Sequence, residues 1–220
     1  MPEVLVHYQM EIWQSISETF IMVGVAILAA VIIGLPVGTL LFLCRKGQLF
    51  ENSIVFSSIN LVVNVIRSFP FLLLVVFLIP FTRLVIGTAI GTAAATVPLS
   101  IIAIAHYSRL VEQSLLDVPR GVLEAAVSMG ASVREIIFKF LFVEARSGLV
   151  LGLTTSIISF ISYSTIMGVV GGGGIGDFAI RYGYQQFKTD LMMYMILIMV
   201  ILVQFIQFTG TTVARLIDKR

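Results

Sequence analysis

The stretch FIMVGVAILAAVIIGLPVGTLLFL, residues 20–43, carries no charged side chain. It is long enough to cross the hydrocarbon core of a bilayer, which takes about 20 apolar residues in an α-helix. Residues 87–106, 148–170 and 191–213 repeat the pattern, and residues 59–81 do so with one charge, Arg67. Lipid offers no hydrogen-bond partners to a backbone, so runs of this length must satisfy themselves as helices. The sequence therefore predicts an all-α, polytopic helical bundle of about five transmembrane helices, forming one membrane domain over residues 1–220.

Composition agrees. The chain is 58% hydrophobic and 12% charged, with a mean hydropathy of +1.05, whereas soluble domains run at roughly 25% charged. A net charge of +2 without a basic tract argues against nucleic-acid binding. The single Cys44 excludes an internal disulfide framework and reads as a packing or membrane-edge residue, and no His/Cys cluster has metal-ligand spacing. Residues 1–19 contain no Lys or Arg and no small-residue cleavage site, so the first apolar run is expected to stay in the protein.

Five spans would put the termini on opposite sides. One set of connections holds Arg45, Lys46, Arg109, Arg120, Arg134, Lys139, Arg146, Arg215, Lys219 and Arg220; the other holds only Arg83, Arg181 and Lys188. The positive-inside bias then places the N-terminus outside and the C-terminus in the cytoplasm. Residues 108–147 become one long cytoplasmic excursion.

That excursion contains helix punctuation. Asp117 and Pro119 suit a helix start, Gly130 suits a left-handed stop, and Ser132-Val-Arg-Glu135 has capping-box spacing. The expected form is helix, tight turn, helix, with the small Ala125 and Ala126 before the turn and Ile136, Ile137 and Phe138 after it. Two readings fit: an amphipathic hairpin packed on its own spans, or a knob that fits a socket on a cytoplasmic partner.

Glu124-Ala125-Ala126, followed four residues later by Gly130, resembles the EAA motif of ABC importer permeases. Residues 64–91 (NVIRSFPFLLLVVFLIPFTRLVIGTAIG), Gly34 to Gly38 (GLPVG) and residues 171–184 (GGGGIGDFAIRYGY) extend the resemblance, over nearly the whole chain, to the permeases of methionine-importing systems. Phe142-Val143 stands where the family often has Leu-Pro, so the end of the second hairpin helix is expected to differ locally. The resemblance implies a permease subunit that forms the pathway for methionine of either hand in a bacterial cytoplasmic membrane. It implies a homodimer with two cytoplasmic ABC ATPase subunits, which hold the ATP and Mg, and an external solute-binding protein or lipoprotein. It assigns ATPase coupling to Glu124, Ala125, Ala126, Ser128, Met129, Gly130, Ala131, Ser132, Arg134 and Glu135. No cofactor on this chain is expected: it lacks the G-x-x-x-x-G-K-[ST] phosphate loop, so the ATPase must be another polypeptide.

Polar residues inside the spans are candidates for the pathway. Ser53, Ser57, Asn60, Asn64, Arg67 and Ser68 recur at helical steps along one face, and a polar stripe in lipid should turn inward. Arg67 reads either as a snorkelling side chain or as a pathway residue. Pro36, Pro70 and Pro98 are expected kink sites in the first three spans. In the fourth span Ser156, Ser159 and Tyr163 share a face, and the hydroxyl-rich helix either packs on neighbours or lines the pathway, with Tyr163, Ser164 and Met167 near a gate. Met192, Met193, Met195 and Met199 read as packing, and Gln204, Gln207 and Thr211 as interhelical bonds. The run GGGGIG meets the letters of a dinucleotide motif without its strand-and-helix context; these glycines suit close packing or flexing in an external loop where a binding protein could dock.

Two other classes compete. An intramembrane enzyme lacks support: HExxH and GxSxG are absent, and His7 and His106 have no evident nucleophile or paired carboxylates. A self-contained secondary transporter remains the alternative, weakened because all twelve acidic residues lie outside the apolar cores.

Overall fold

Gly34 and Gly38 set how the first helix meets the rest of the bundle. The computed structural model describes residues 6–218; residues 1–5, and Lys219 and Arg220 of the charge bias, lie outside them. The first long helix, Gln9–Cys44, consists of α1 (Gln9–Ala29), a π-helical stretch (Ala30–Gly34) and α2 (Leu35–Cys44). Pro36 falls in the first turn of α2, so its missing N–H is accommodated where the widened π turn gives way to α-helix. This helix crosses α6 (Thr92–Leu116) at close range. A Cβ on Gly34 would lie 3.0 Å from the Ile104 carbonyl oxygen, and one on Gly38 would press on the Ser108 carbonyl and lie 2.7 Å from the Val111 Cβ. Small residues at such crossings let backbones approach in a membrane, where packing replaces the hydrophobic drive. Gly38→Val should destabilise the bundle by about 3 kcal/mol, the upper end of ordinary overpacking. Thermal melting of detergent-purified protein checks this, and an unchanged midpoint would contradict the close crossing.

The second expected span is broken. α3 (Ser53–Ser68) and α4 (Phe71–Phe77) meet at 106°, so residues 59–81 do not form one continuous helix. The cause is local: Phe69 (ψ 132°) and Pro70 (ψ 129°) are both extended, because proline pushes its predecessor out of the helical region and cannot donate the next helix bond. α5 (Ile79–Ile86) follows and stops at Gly87, φ +85°. Among the described residues four helices are long and apolar enough to cross a membrane, or five where the bent pair counts as one span. Pro98, by contrast, sits inside α6 without interrupting it.

Within residues 108–147, α6 continues to Leu116, and Asp117 caps its C-terminus instead of opening the next helix. α7 (Arg120–Ser128) is the short first arm. The second arm, α8 (Val133–Glu135), runs through a π-helical stretch (Ile136–Leu141) into α9 (Phe142–Val169), giving one unbroken helix, Val133–Val169. The expected helix-turn-helix is present, its first helix folded onto the base of the span that its second helix continues. Beyond α9 come α10 (Gly174–Phe178), a π-helical stretch (Ala179–Gln185) and α11 (Thr189–Ile217).

α6 is the central post, packed against α1, α2, α3 and α9. Leu99, Ala103, Tyr107, Val111 and Leu115 of α6 share a core with Met22, Ala26, Ala30, Phe42, Phe160 and Ile161. Outward faces stay apolar, including Leu61, Val65 and Phe77 and, on α11, Leu197, Val200, Phe205 and Phe208, as a surface in contact with lipid or another apolar subunit requires. The methionine run divides the same way: Met195 is fully buried and Met193 exposed.

Candidate functional site

The hairpin is built by three local devices. Pro119 precedes α7 in an extended conformation. At the other end Gly130 takes φ +74°, its N–H donating to the Val127 carbonyl (2.9 Å) while the Ala131 N–H donates to the Ala126 carbonyl (3.1 Å); this is a Schellman closure. Ser132 then restarts the chain, its N–H and Oγ donating to Glu135 Oε2 at 3.1 and 2.9 Å. Lys139 Nζ donates to Glu135 Oε1 at 2.8 Å. The hydrogen bonds from Lys139 and Ser132 hold the Glu135 carboxyl down at about 2, so it stays ionised at neutral pH.

The motif residues divide between two directions. Ala126 is 0% exposed and packs in the core with Val118, Ile136 and Leu141; its small side chain lets α7 fold against the base of the long helix. Glu124, Ala125, Ser128, Met129, Gly130, Ser132 and Arg134 face outward, and Ala131 and Glu135 are partly buried. Met129 is 66% and Val127 49% exposed, giving an apolar tip beside charged residues. A cleft of about 440 Å³ lies between α7 (Arg120, Leu123, Glu124, Val127, Ser128) and the loop at Gly47, Gln48 and Leu49. Phe142-Val143 lies within α9, so the place where the family often has proline is straight helix preceded by the π stretch.

Sequence reasoning missed a polar knot near the same end of the bundle. Glu112 is 1% exposed, and its Oε1 accepts from Arg45 Nη1 at 3.3 Å while Oε2 accepts from Arg109 Nη1 at 2.5 Å. Arg109 Nη2 donates to the side-chain oxygens of Asn60 and Asn64, each at 2.6 Å, and Asn64 Nδ2 donates to Asn60 Oδ1 at 3.2 Å. The sequence places Arg45 and Arg109 among the basic residues of the connections and singles out nothing at Glu112. The available signal was an acid three residues after an arginine, just past an apolar run, which places both on one helical face.

The structure brings Asn60 and Asn64 together on Arg109 but leaves Arg67 and Ser68 exposed on the same helix, with Ser68 Oγ bonded to the Asn64 carbonyl at 2.7 Å. Ser164 (2%) and Met167 (3%) are buried in the bundle. Tyr163 stacks on Phe71 of α4, ring centroids 4.6 Å apart. The hydroxyls of Ser156, Ser159, Ser162, Ser164 and Thr165 all bond back to carbonyls of their own helix, the arrangement that needs no ligand. His106 Nε2 is buried without a hydrogen-bond partner among the described residues.

At the opposite end of α6 and α9 the glycine run packs closely. Gly171, Gly173 and Gly174 have φ of +84°, +78° and +88°, and a Cβ on Gly172 would lie 2.8 Å from the Met167 carbonyl oxygen. Glu18 Oε2 accepts from the Gly174 N–H (2.7 Å), Thr19 Oγ1 from the Ile175 N–H (2.9 Å), and the Gly171 carbonyl from the Gly91 N–H (2.9 Å). A cavity of about 330 Å³ opens here between Glu11, Glu18, Thr92, Asp177, Arg181 and Tyr182, with Arg181 paired to Asp177.

Residues 30–220 match the family described as binding-protein-dependent transport system inner membrane components. A probable D-methionine transport system permease protein of Vibrio cholerae is 43% identical over 203 residues, covering 92% of this chain and 90% of that protein. A methionine import system permease protein of Bacillus subtilis is 41% identical over 210 residues, 96% of this chain and 95% of that one. Among solved structures, a chain from inward-facing conformations of the MetNI methionine ABC transporter superposes with a TM-score of 0.93 at 39% identity, covering 96% of this chain and 98% of that one. An amino acid ABC transporter chain, at 18% identity and a TM-score of 0.78, shares the fold.

Proposed function

The chain belongs to the family of binding-protein-dependent transport system inner membrane components, and from that premise we propose that it is the permease subunit of an ATP-driven methionine importer. The observation that carries the proposal is the hairpin. An exposed, charged, apolar-tipped helix is closed at Gly130 and joined through the tight turn at Ser132 to a 37-residue helix. Such an element converts force at its tip into movement of a span. The likeness to a methionine ABC transporter over nearly the whole chain and the methionine systems named for its relatives support the substrate.

The functional complex is a homodimer in a bacterial cytoplasmic membrane, with two ATPase subunits on the hairpin side and a solute-binding protein at the glycine-loop side. Arg45, Lys46, Arg109, Arg120, Arg134, Lys139 and Arg146 cluster toward the hairpin end, which the positive-inside rule makes cytoplasmic. In this scheme ATP and Mg bind the ATPase subunits, and this chain couples to them. Glu124, Ser128 and Met129 meet the ATPase, Ala126 transmits the push to the helix base, and Gly130 and Ser132 keep the tip from yielding. α6 and the long helix Val133–Val169 then tilt, exposing the pathway to alternate sides. Reciprocity of coupling requires that a docked binding protein stimulate hydrolysis.

Co-purification from native membranes tests the assignment. The expected result is recovery of a phosphate-loop ATPase with the chain and ATP hydrolysis that rises with methionine and binding protein. Recovery of the chain with no ATPase partner would remove the proposal.

A further inference from the structure

α3 meets the bundle along one apolar strip and one polar contact. Of its side chains only Val63 is buried, seated with Leu41 and Ala105, with Phe56, Ile59 and Ile66 packed partly buried beside it, while Ile54, Leu61, Val62 and Val65 face outward. Beside that narrow apolar strip, what joins α3 to α6 is Arg109, through its bonds to Asn60 and Asn64. We infer that Arg109 and Glu112 are positioning residues forming a separable latch, which holds α3 against α6 at rest and releases it when the hairpin moves; the inference rests on the permease reading above.

The two halves of the knot differ in character. Glu112, nearly inaccessible and flanked by two guanidinium groups, is costly to separate from Arg109, because that breaks a close ion pair largely removed from water. Arg109 meets Asn60 and Asn64 through neutral amide oxygens, so parting them separates no pair of opposite charges and costs less than breaking the ion pair. The joint between Arg109 and α3 is thus the one that opens, while the pair inside α6 survives the movement. The geometry also supplies a driver and a hinge. Glu112 lies about one turn from the end of α6, which passes through Asp117 and Pro119 directly into α7. At the other end of α3 the 106° break leads into α4, which is anchored to α9 where Phe71 stacks on Tyr163. A helix hinged at Pro70 and latched at Asn60 and Asn64 can swing as one piece.

The test uses the chain with its ATPase and binding protein in proteoliposomes, reading methionine taken up per ATP hydrolysed. N60A/N64A removes the α3 side and leaves Glu112 between its arginines; the expected result is a fall of about tenfold or more in that ratio, within the range of ordinary coupling energies. Asn60→Asp places a carboxylate against Arg109 and should tighten the latch, lowering uptake and hydrolysis together with the ratio kept. A merely structural role for the asparagines would not split the two variants this way. An assembled N60A/N64A complex with the wild-type ratio overturns the latch. If N60A/N64A does not assemble, Asn60→Asp decides, and wild-type rates of both activities overturn the latch. A wild-type complex without ATP-driven uptake would instead sink the permease reading, and the latch with it.

Discussion

A chain carrying Gly130→Val should assemble with its ATPase yet lose methionine uptake by about tenfold or more. Gly130 sits at φ +74°, where a β-branched residue is strained by about 1–3 kcal/mol. Nothing lies within 4 Å of the position a Cβ would occupy, so the effect is one of backbone preference and not of collision. That predicts a rank order: Gly130→Asn, which tolerates the left-handed region, should retain most uptake, Gly130→Ala less, and Gly130→Val least. The strain would be relieved by rotating the turn, which breaks the bonds from Gly130 and Ala131 to Val127 and Ala126 and loosens the tip from the long helix. Parallel assays of uptake and ATP hydrolysis in proteoliposomes check this. Equal uptake by the Asn and Val variants would contradict the Schellman closure as the rigid element.

Glu112→Ala should be the most destabilising single change in the molecule. It leaves the Arg109 guanidinium, 16% exposed, without its carboxylate, and breaking a buried pair from one side costs about 3–5 kcal/mol. Arg45 is 45% exposed and can turn to water, so it adds little. Thermal melting in detergent should show a large loss of folded protein for Glu112→Ala and a smaller one for Glu112→Gln, with R109Q/E112Q recovering part of the stability because the two amides can bond each other. A melting midpoint for Glu112→Ala equal to wild type would show that Glu112 is not the centre of the knot.

What could be read from the sequence was local in the chain. Gly130, Ser132 and Glu135 lie within six residues and act on one another's backbones, so spacing and side-chain chemistry suffice to place the turn. The apolar runs were equally readable, because burial in lipid demands length and lack of charge and nothing else. Three features needed tertiary knowledge. Pro70 could signal a kink, but 106° depends on α4 finding its seat against Tyr163. Asp117 has the chemistry of a helix start, yet α6 had not finished, since its last turn is held by Val111 and Leu115 in the core. The knot joins Asn60 and Asn64 to Arg109 across 49 and 45 residues, and no local pattern on either helix names the other. Of the polar stripe on α3, Asn60 and Asn64 face Arg109, while Arg67 and Ser68 stay exposed. Of the glycine run, close packing is the reading that the positive φ angles and the Glu18 contact support.

The most direct measurement of the central claim is methionine uptake into proteoliposomes that contain this chain alone or with its ATPase and binding protein. No accumulation is expected by the chain alone under a proton or sodium gradient, and ATP-dependent accumulation is expected only when all three proteins are present. Gradient-driven uptake by the chain alone would contradict it.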